Sequence, residues 1–151
     1  MVKGLLVDHS LCSGCRICEL ACSFNKTGKV FPSMSRITIL NKFHESESYI
    51  LVCRQCEKPA CVQVCPSEAL RKVNGVVVLN EEVCMGCGAC KRACKLDGIK
   101  EFDGKFFKCD LCGGSPVCAE LCPTGAIKYV EKEDMHLIKR MRAAERYLRE
   151  D

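Results

Sequence analysis

The chemistry of this chain is concentrated in sixteen cysteines among 151 residues, arranged in four groups of four with none to spare. Group one is Cys12, Cys15, Cys18 and Cys22; group two is Cys53, Cys56, Cys61 and Cys65. Group three is Cys84, Cys87, Cys90 and Cys94; group four is Cys109, Cys112, Cys118 and Cys122. Groups one and three follow Cys-x2-Cys-x2-Cys-x3-Cys, whereas groups two and four widen the middle gap to four and five residues. Three thiols closely spaced on a tight loop can wrap three corners of one iron-sulfur cube, while the fourth, at the start of the next helical turn, points toward a second cube. A single group therefore cannot complete its own cluster. The groups must work in pairs, each lending its last cysteine to the other, and the sequence predicts four [4Fe-4S] clusters with all sixteen thiols as iron ligands.

Other uses of cysteine fit less well. Structural zinc takes two separated Cys-x2-Cys pairs around one tetrahedral ion, which the thrice-stepped groups one and three do not provide. Disulfides belong to oxidising compartments, and the amino terminus shows no signal-peptide core and no twin-arginine pair. A radical-generating Cys-x3-Cys-x2-Cys motif is absent, because Cys18 and Cys22 are followed by Ser23, Phe24 and Asn25. His9, His44 and His136 are isolated and are expected in surface or capping roles. No serine-histidine-acid set, phosphate-binding glycine loop or framed carboxylate pair occurs, so no catalytic residue is predicted and the chain reads as a carrier of electrons rather than an enzyme.

The elements that must hold these thiols are short. Asn74-Gly75 between 69–73 and 76–79 is a hairpin signal, and Asp103-Gly104 between 99–102 and 105–108 repeats it. Extended segments are predicted at 5–7, 36–40, 49–52 and 127–130. Short helices are expected after the fourth cysteine of each group or between groups. Gly14, Gly86, Gly88, Gly113 and Gly114 let the loop backbone take unusual dihedrals and bring amides near sulfur. Groups two and four end alike, Cys65-Pro66-Ser-Glu-Ala-Leu against Cys122-Pro123-Thr-Gly-Ala-Ile, whereas Ser23 and Lys95 stand at the proline position in the other two. Residues 131–151 form one helical pattern with Leu137, Met141, Ala144 and Leu148 on a stripe, which could cover the chain's own core or dock on a partner.

Composition agrees with a fold stapled by metal. There is no tryptophan, and three tyrosines and six phenylalanines are few for a self-sufficient core. The formal charge is +4 with cysteines counted as neutral, and each oxidised cluster with its thiolates contributes about −2, which takes the loaded chain to about −4. Lysines and arginines are dispersed without a polybasic block, so no nucleic-acid partner is predicted. No apolar run approaches the ~20 residues of a spanning helix, and the chain reads as cytoplasmic, where thiols stay reduced.

Spacing alone leaves two pairings open: groups one with four and two with three, or one with two and three with four. The Cys65 to Cys84 linker with its hairpin looks like that of a bacterial two-cluster ferredoxin. The four groups, with the second and fourth stretched, resemble the ferredoxin-type electron-transfer subunits of molybdenum and tungsten pterin oxidoreductases, including the dimethyl sulfoxide reductase and formate dehydrogenase families. The stretch Cys18-Glu-Leu-Ala-Cys22-Ser-Phe-Asn-Lys-Thr-Gly, followed by Phe31-Pro32-Ser-Met-Ser-Arg36-Ile, is most similar to small subunits of tungsten aldehyde oxidoreductase-type enzymes. This resemblance implies an α+β fold of two pseudo-symmetric bacterial 2[4Fe-4S] ferredoxin-like modules, one inserted in the other, plus a C-terminal helix. The outer module would comprise 1–49 and 96–130, the inserted module 50–95, and the helix 131–151. It implies clusters on Cys12, Cys15, Cys18 and Cys122; on Cys109, Cys112, Cys118 and Cys22; on Cys53, Cys56, Cys61 and Cys94; and on Cys84, Cys87, Cys90 and Cys65. The implied partners are a tungsten or molybdenum pterin catalytic subunit and a flavoprotein or free ferredoxin. A hydrogenase or carbon monoxide dehydrogenase partner, a free polyferredoxin, or a structural or regulatory iron-sulfur protein are the alternatives.

Overall fold

The computed structural model describes residues 2–42 and 47–147. In chain order the elements are β1 (Lys3–Val7), α1 (Ile17–Thr27), β2 (Ile37–Lys42), β3 (Glu47–Val52), α2 (Ala60–Gln63), β4 (Leu70–Val73), β5 (Val76–Leu79), α3 (Ala89–Ala93), β6 (Ile99–Phe102), β7 (Lys105–Lys108), α4 (Val117–Glu120), β8 (Ile127–Glu131) and α5 (Asp134–Tyr147). Short 3-10 turns at His9–Leu11, Pro32–Met34 and Leu111–Gly114 fill the connections. The result is mixed α and β, built from four antiparallel two-stranded sheets and short helices.

Two hairpins, β4–β5 and β6–β7, stand where the sequence predicts them, pairing Val73 with Val76 and Phe102 with Lys105. Asn74-Gly75 and Asp103-Gly104 take positive φ at both turn residues, the two-residue turn whose twist matches the strands it joins. Strand β1 pairs antiparallel with β8, Leu5 facing Tyr129, so the amino-terminal strand is joined to the segment that follows group four. The β2–β3 pair, with Ile39 opposite Ile50, packs over group one.

The helices differ from the expectation. Rather than following the fourth cysteine, α2, α3 and α4 carry Cys61, Cys90 and Cys118 and end before Cys65, Cys94 and Cys122. One helical turn thus separates the third thiol of each group from the fourth, which is what sends the two toward different sites. Only α1 continues past its fourth cysteine, and Ser23 explains why. Its hydroxyl donates to the Leu20 carbonyl at 3.0 Å and accepts the Phe31 amide at 3.1 Å, whereas Pro66 and Pro123 turn the chain away after groups two and four. Gly28, left-handed at φ 71°, closes α1 through its amide to the Phe24 carbonyl.

Apolar side chains gather in two clusters. Leu5, Val7, Ile37, Ile39, Ile50, Val52, Leu111 and Ile127 surround Cys18, Cys22, Cys109 and Cys118. Leu70, Val77, Ile99 and Phe106 surround Cys90, with Cys61, Cys65, Cys84 and Cys94 packed against them. Helix α1 lies against α4, and α2 against α3.

The C-terminal helix begins at Asp134 and not at 131, because Glu131 belongs to β8 and pairs with Lys3. Arg142 ties the helix down through Asp8 at 3.1 Å, and Met135 reaches Gly4. Its predicted stripe faces outward, with Leu137 58% and Met141 56% exposed and Ala144 also exposed, while Leu148 lies outside the described residues.

Candidate iron-sulfur sites

All sixteen thiols are free. A cavity between β2, β3 and the loop before α1 is lined by Cys12, Cys15, Cys18 and Cys122. A second cavity, of about 350 Å³, is lined by Cys53, Cys56, Cys61 and Cys94. Neither combines four thiols of one group. In each, three come from one group and the last is the fourth of another. Among the described residues no three of Cys, His, Asp or Glu gather closely enough to hold a single metal ion. Thiols spread around the walls of a cavity suit a polynuclear cube instead.

Burial and neighbouring thiols set the state of the remaining cysteines. Burial pushes the Cys118 thiol far up, and Cys109, Cys22 and Cys112 add to the rise. Burial likewise raises Cys90, with Cys84 and Cys65 adding to it, while Cys87 is exposed at the rim of the same loop. Cys18 is pushed up to about 12 by burial and by Glu19, Cys12 and Cys15, and Cys61 is raised by burial together with Cys53 and Cys94. Crowded thiols with raised pKa hold their protons until a metal displaces them, so loading is coupled to deprotonation.

The fourth cysteines sit in a different environment. Burial acts to raise Cys65, but the amides of Leu70, Ala69 and Ser67 and the Ser67 hydroxyl outweigh it and leave the thiol lowered. Cys122 is treated the same way, burial being outweighed by the amides of Ile127, Thr124 and Ala126 and by the Thr124 hydroxyl. The repeated Pro-Ser/Thr-x-Ala ending seen in the sequence is therefore a sulfur cradle. The corresponding sulfurs without that proline accept single amides, Cys22 from Arg36 at 3.3 Å and Cys94 from Gly98 at 3.2 Å. Such hydrogen bonds to sulfur set cluster potentials.

Backbone geometry completes the loops. Gly14 and Gly86 take φ 70°, and two residues on, Arg16 and Gly88 take φ 59° and 69°. Arg16 thus adopts a conformation that in group three falls to glycine, with its side chain reaching the Ile39 carbonyl at 3.4 Å. Leu111 and Cys112 do the same in group four. Glu19, buried on α1, accepts the Ile39 amide at 2.5 Å and so fixes α1 to β2. Lys26 and Asp110, 2.6 Å apart, join α1 to group four, and Asp110 also accepts the Cys112 amide at 3.0 Å. His9 is half-buried and accepts the Ile50 amide at Nδ1 at 3.0 Å; His136 is exposed and His44 lies outside the described residues.

Sequence reasoning missed Gln55 and Lys108. Gln55, 2% exposed, donates to the Cys109 carbonyl at 2.8 Å and accepts the Val77 amide at 2.7 Å. Each stands next to a cysteine, Gln55 before Cys56 and Lys108 before Cys109. Their polar types at those places carry no signal of burial.

Among known proteins, residues 47–132 match the 4Fe-4S dicluster domain model and residues 9–25 a 4Fe-4S binding domain model. The polyferredoxin-like subunit of aliphatic sulfonate oxidoreductase from Pyrococcus furiosus is 42% identical over 122 residues, covering 78% of this chain and 70% of that protein. The B subunit of anaerobic dimethyl sulfoxide reductase from Escherichia coli is 36% identical over 147 residues, covering 83% and 72%. A component of the active site complex BamBC of benzoyl coenzyme A reductase shares the fold, with a TM-score of 0.52 and 24% identity over 85% of this chain and 75% of that one. The chain belongs to the 4Fe-4S dicluster family of ferredoxin-type proteins, and 4Fe-4S clusters are what its cysteines carry.

Proposed function

We propose that this chain is the iron-sulfur wire of an oxidoreductase complex, holding four clusters in a row and passing single electrons between a catalytic subunit and a second carrier. It is an electron-transfer subunit and not a catalytic one, as its relatives are. The observation that carries the reading is the lining of the two cavities, each by three thiols of one group and the fourth thiol of another.

That pattern supports the following pairing. Cys12, Cys15, Cys18 and Cys122 hold one cluster and Cys109, Cys112, Cys118 and Cys22 a second, supported by the packing of α1 on α4. Cys53, Cys56, Cys61 and Cys94 hold a third and Cys84, Cys87, Cys90 and Cys65 a fourth, supported by the packing of α2 on α3. The two apolar clusters support an outer module closed by β1–β8 and an inserted module, with β2–β3 siding with the outer and most of β6–β7 with the inserted one. Cys18, Cys109 and Cys118 share one apolar cluster with Cys53 packed against it, which supports an order from the Cys12 cluster through the Cys109 and Cys53 clusters to the Cys84 cluster. A chain of this length has a radius of gyration of about 15 Å, which keeps neighbours within roughly 10 to 15 Å, close enough for tunnelling.

When bound, the clusters supply reversible one-electron storage. The chain's own residues bind them, exclude water with Ile39, Ile50, Leu70 and Ile99, and set potentials through amides and hydroxyls on sulfur. The favoured partner is a tungsten or molybdenum pterin enzyme acting in the same compartment, taken to be the cytoplasm; among the described residues no helix is long and apolar enough to cross a membrane. Anaerobic purification tests this. The expected result is a complex with about sixteen irons per copy of this chain and tungsten or molybdenum in its companion. Nickel in the companion would assign the chain to a hydrogenase or carbon monoxide dehydrogenase, and a chain with no reducible iron would refute the wire.

A further inference from the structure

The junction between the two modules contains a buried cation. Lys108, at the end of β7, is only 5% exposed. Its ammonium donates to the Cys109 carbonyl at 2.7 Å and to the Val77 carbonyl. Val77 lines the cavity of Cys53, Cys56, Cys61 and Cys94, and Cys109 belongs to the neighbouring set. Gln55 spans the same two residues from its other side, and Lys132 closes the seam by donating to the Gln55 carbonyl at 2.9 Å.

A buried ammonium is costly unless an opposite charge compensates it. Among the described residues no carboxylate lies within ion-pair distance of Lys108, whose acceptors are two neutral carbonyls. Those two carbonyls belong to two different cluster sets, Cys109 being a ligand in one and Val77 lining the cavity of the other.

We propose that Lys108 is a fixed positive charge shared by the two central clusters, which raises both their potentials and makes that central pair the favoured acceptor for electrons arriving from either outer cluster. This rests on the cluster assignment above. One electron takes a cube and its four thiolates from about −2 to about −3, so a nearby cation stabilises the reduced form. In the uncharged state of residue 108 that stabilisation is gone, and electrons arriving from either outer cluster meet a less willing acceptor.

The test is a reductive titration of the full chain with its clusters, purified anaerobically, followed by paramagnetic resonance. Lys108→Gln keeps an amide that can donate to the carbonyls but removes the charge. It should lower the one-electron reduction equilibrium of two of four clusters about tenfold, which is about 59 mV, and leave the outer two unchanged. Lys108→Arg should stay near the native values. If Lys108→Gln loses the central clusters altogether while Lys108→Arg keeps four, the charge is required and the proposal stands. Unchanged potentials in a four-cluster Lys108→Gln chain would overturn it while leaving the assignment intact. Equal damage from Arg and Gln would also overturn it, since shape and not charge would then matter. A native chain with fewer than about sixteen irons would instead overturn the assignment beneath it.

Discussion

A serine at position 122 would keep the loop and its cradle but replace the thiolate by a hydroxyl that binds iron poorly. Because Cys122 lines the cavity of Cys12, Cys15 and Cys18, the damage is expected at a distance of more than a hundred residues in sequence. Cys122→Ser should weaken or remove one cluster, with about four irons fewer per chain, and leave the signals of the inserted module intact. Loss of an inserted-module signal would show that group four pairs with group three. That the chain carries 4Fe-4S clusters was open to reading from the sequence, because a spacing rule connects cysteine position to a corner of a cube. Their neighbours were not. Arg16, Leu111 and Cys112 adopt left-handed backbone that residue type alone reserves for glycines, and Glu19 is buried where a helix reading puts an exposed acid. For Arg16 and Glu19 the partner lies far along the chain, the Ile39 carbonyl and amide, whereas the Leu111 and Cys112 amides are bonded within their own loop, to Cys109 Sγ and Asp110 Oδ1.

At the scale of elements, the loop of group one is pressed against the β2–β3 hairpin at Gly14, whereas that of group three has room at Gly86. A Cβ at Gly14 would meet Asn41 Oδ1 and Ser48 Oγ at 2.7 Å, whereas one at Gly86 would meet nothing nearer than the Gly104 carbonyl at 3.7 Å. Both positions share φ 70°, so both alanine variants carry the same backbone cost of about 1–2 kcal/mol. Gly14→Ala must in addition break the Ser48 to Asn41 hydrogen bond or move the hairpin. It should lose clusters in urea faster than Gly86→Ala, read anaerobically from the decay of visible absorbance; equal rates would mean that the hairpin yields freely. The same hairpin is latched at its other strand by His9. Burial first and Arg54 second hold that imidazole below its ordinary value near 6.5, against a raising pull from Asp8, so the folded chain binds its proton less readily than the unfolded chain. Stability from the His9–Ile50 hydrogen bond is therefore present above about pH 6.5 and lost as pH falls through the folded pKa. The native chain should resist urea better than His9→Ala by about 1 kcal/mol at pH 7.5, and the gap should close toward pH 5.5. A gap that is constant with pH would remove the histidine from this role. The hairpins were legible because Asn-Gly and Asp-Gly carry their turn chemistry within two residues. The short helices were misplaced because four residues around a cysteine have no periodicity to read, and their position is fixed by the need to aim two thiols at two sites.

For the whole molecule, sequence and structure meet in charge. The β1–β8 pair and the proposed division into two modules depend on contacts between segments far apart in the chain, and the hydrogen bonds of Gln55, Lys108 and Lys132 have no sequence signature. The charge, however, is a sum over residues and needs no contacts, so it can be carried from the sequence to a test of the loaded fold. Without metal the chain bears +4 with its thiols protonated, and burial and crowding favour that protonated state at Cys18, Cys109 and Cys118. Each cluster replaces four thiol protons by a unit of about −2, so four clusters reverse the sign to about −4. At pH 7 and low salt the loaded chain should bind an anion exchanger and flow through a cation exchanger, and the iron-free chain should do the opposite. Two clusters would leave the chain near neutrality and retained weakly by either, so the elution order counts clusters independently of any iron assay. A loaded chain that behaves as a cation would mean that its thiols remain protonated and hold no cubes.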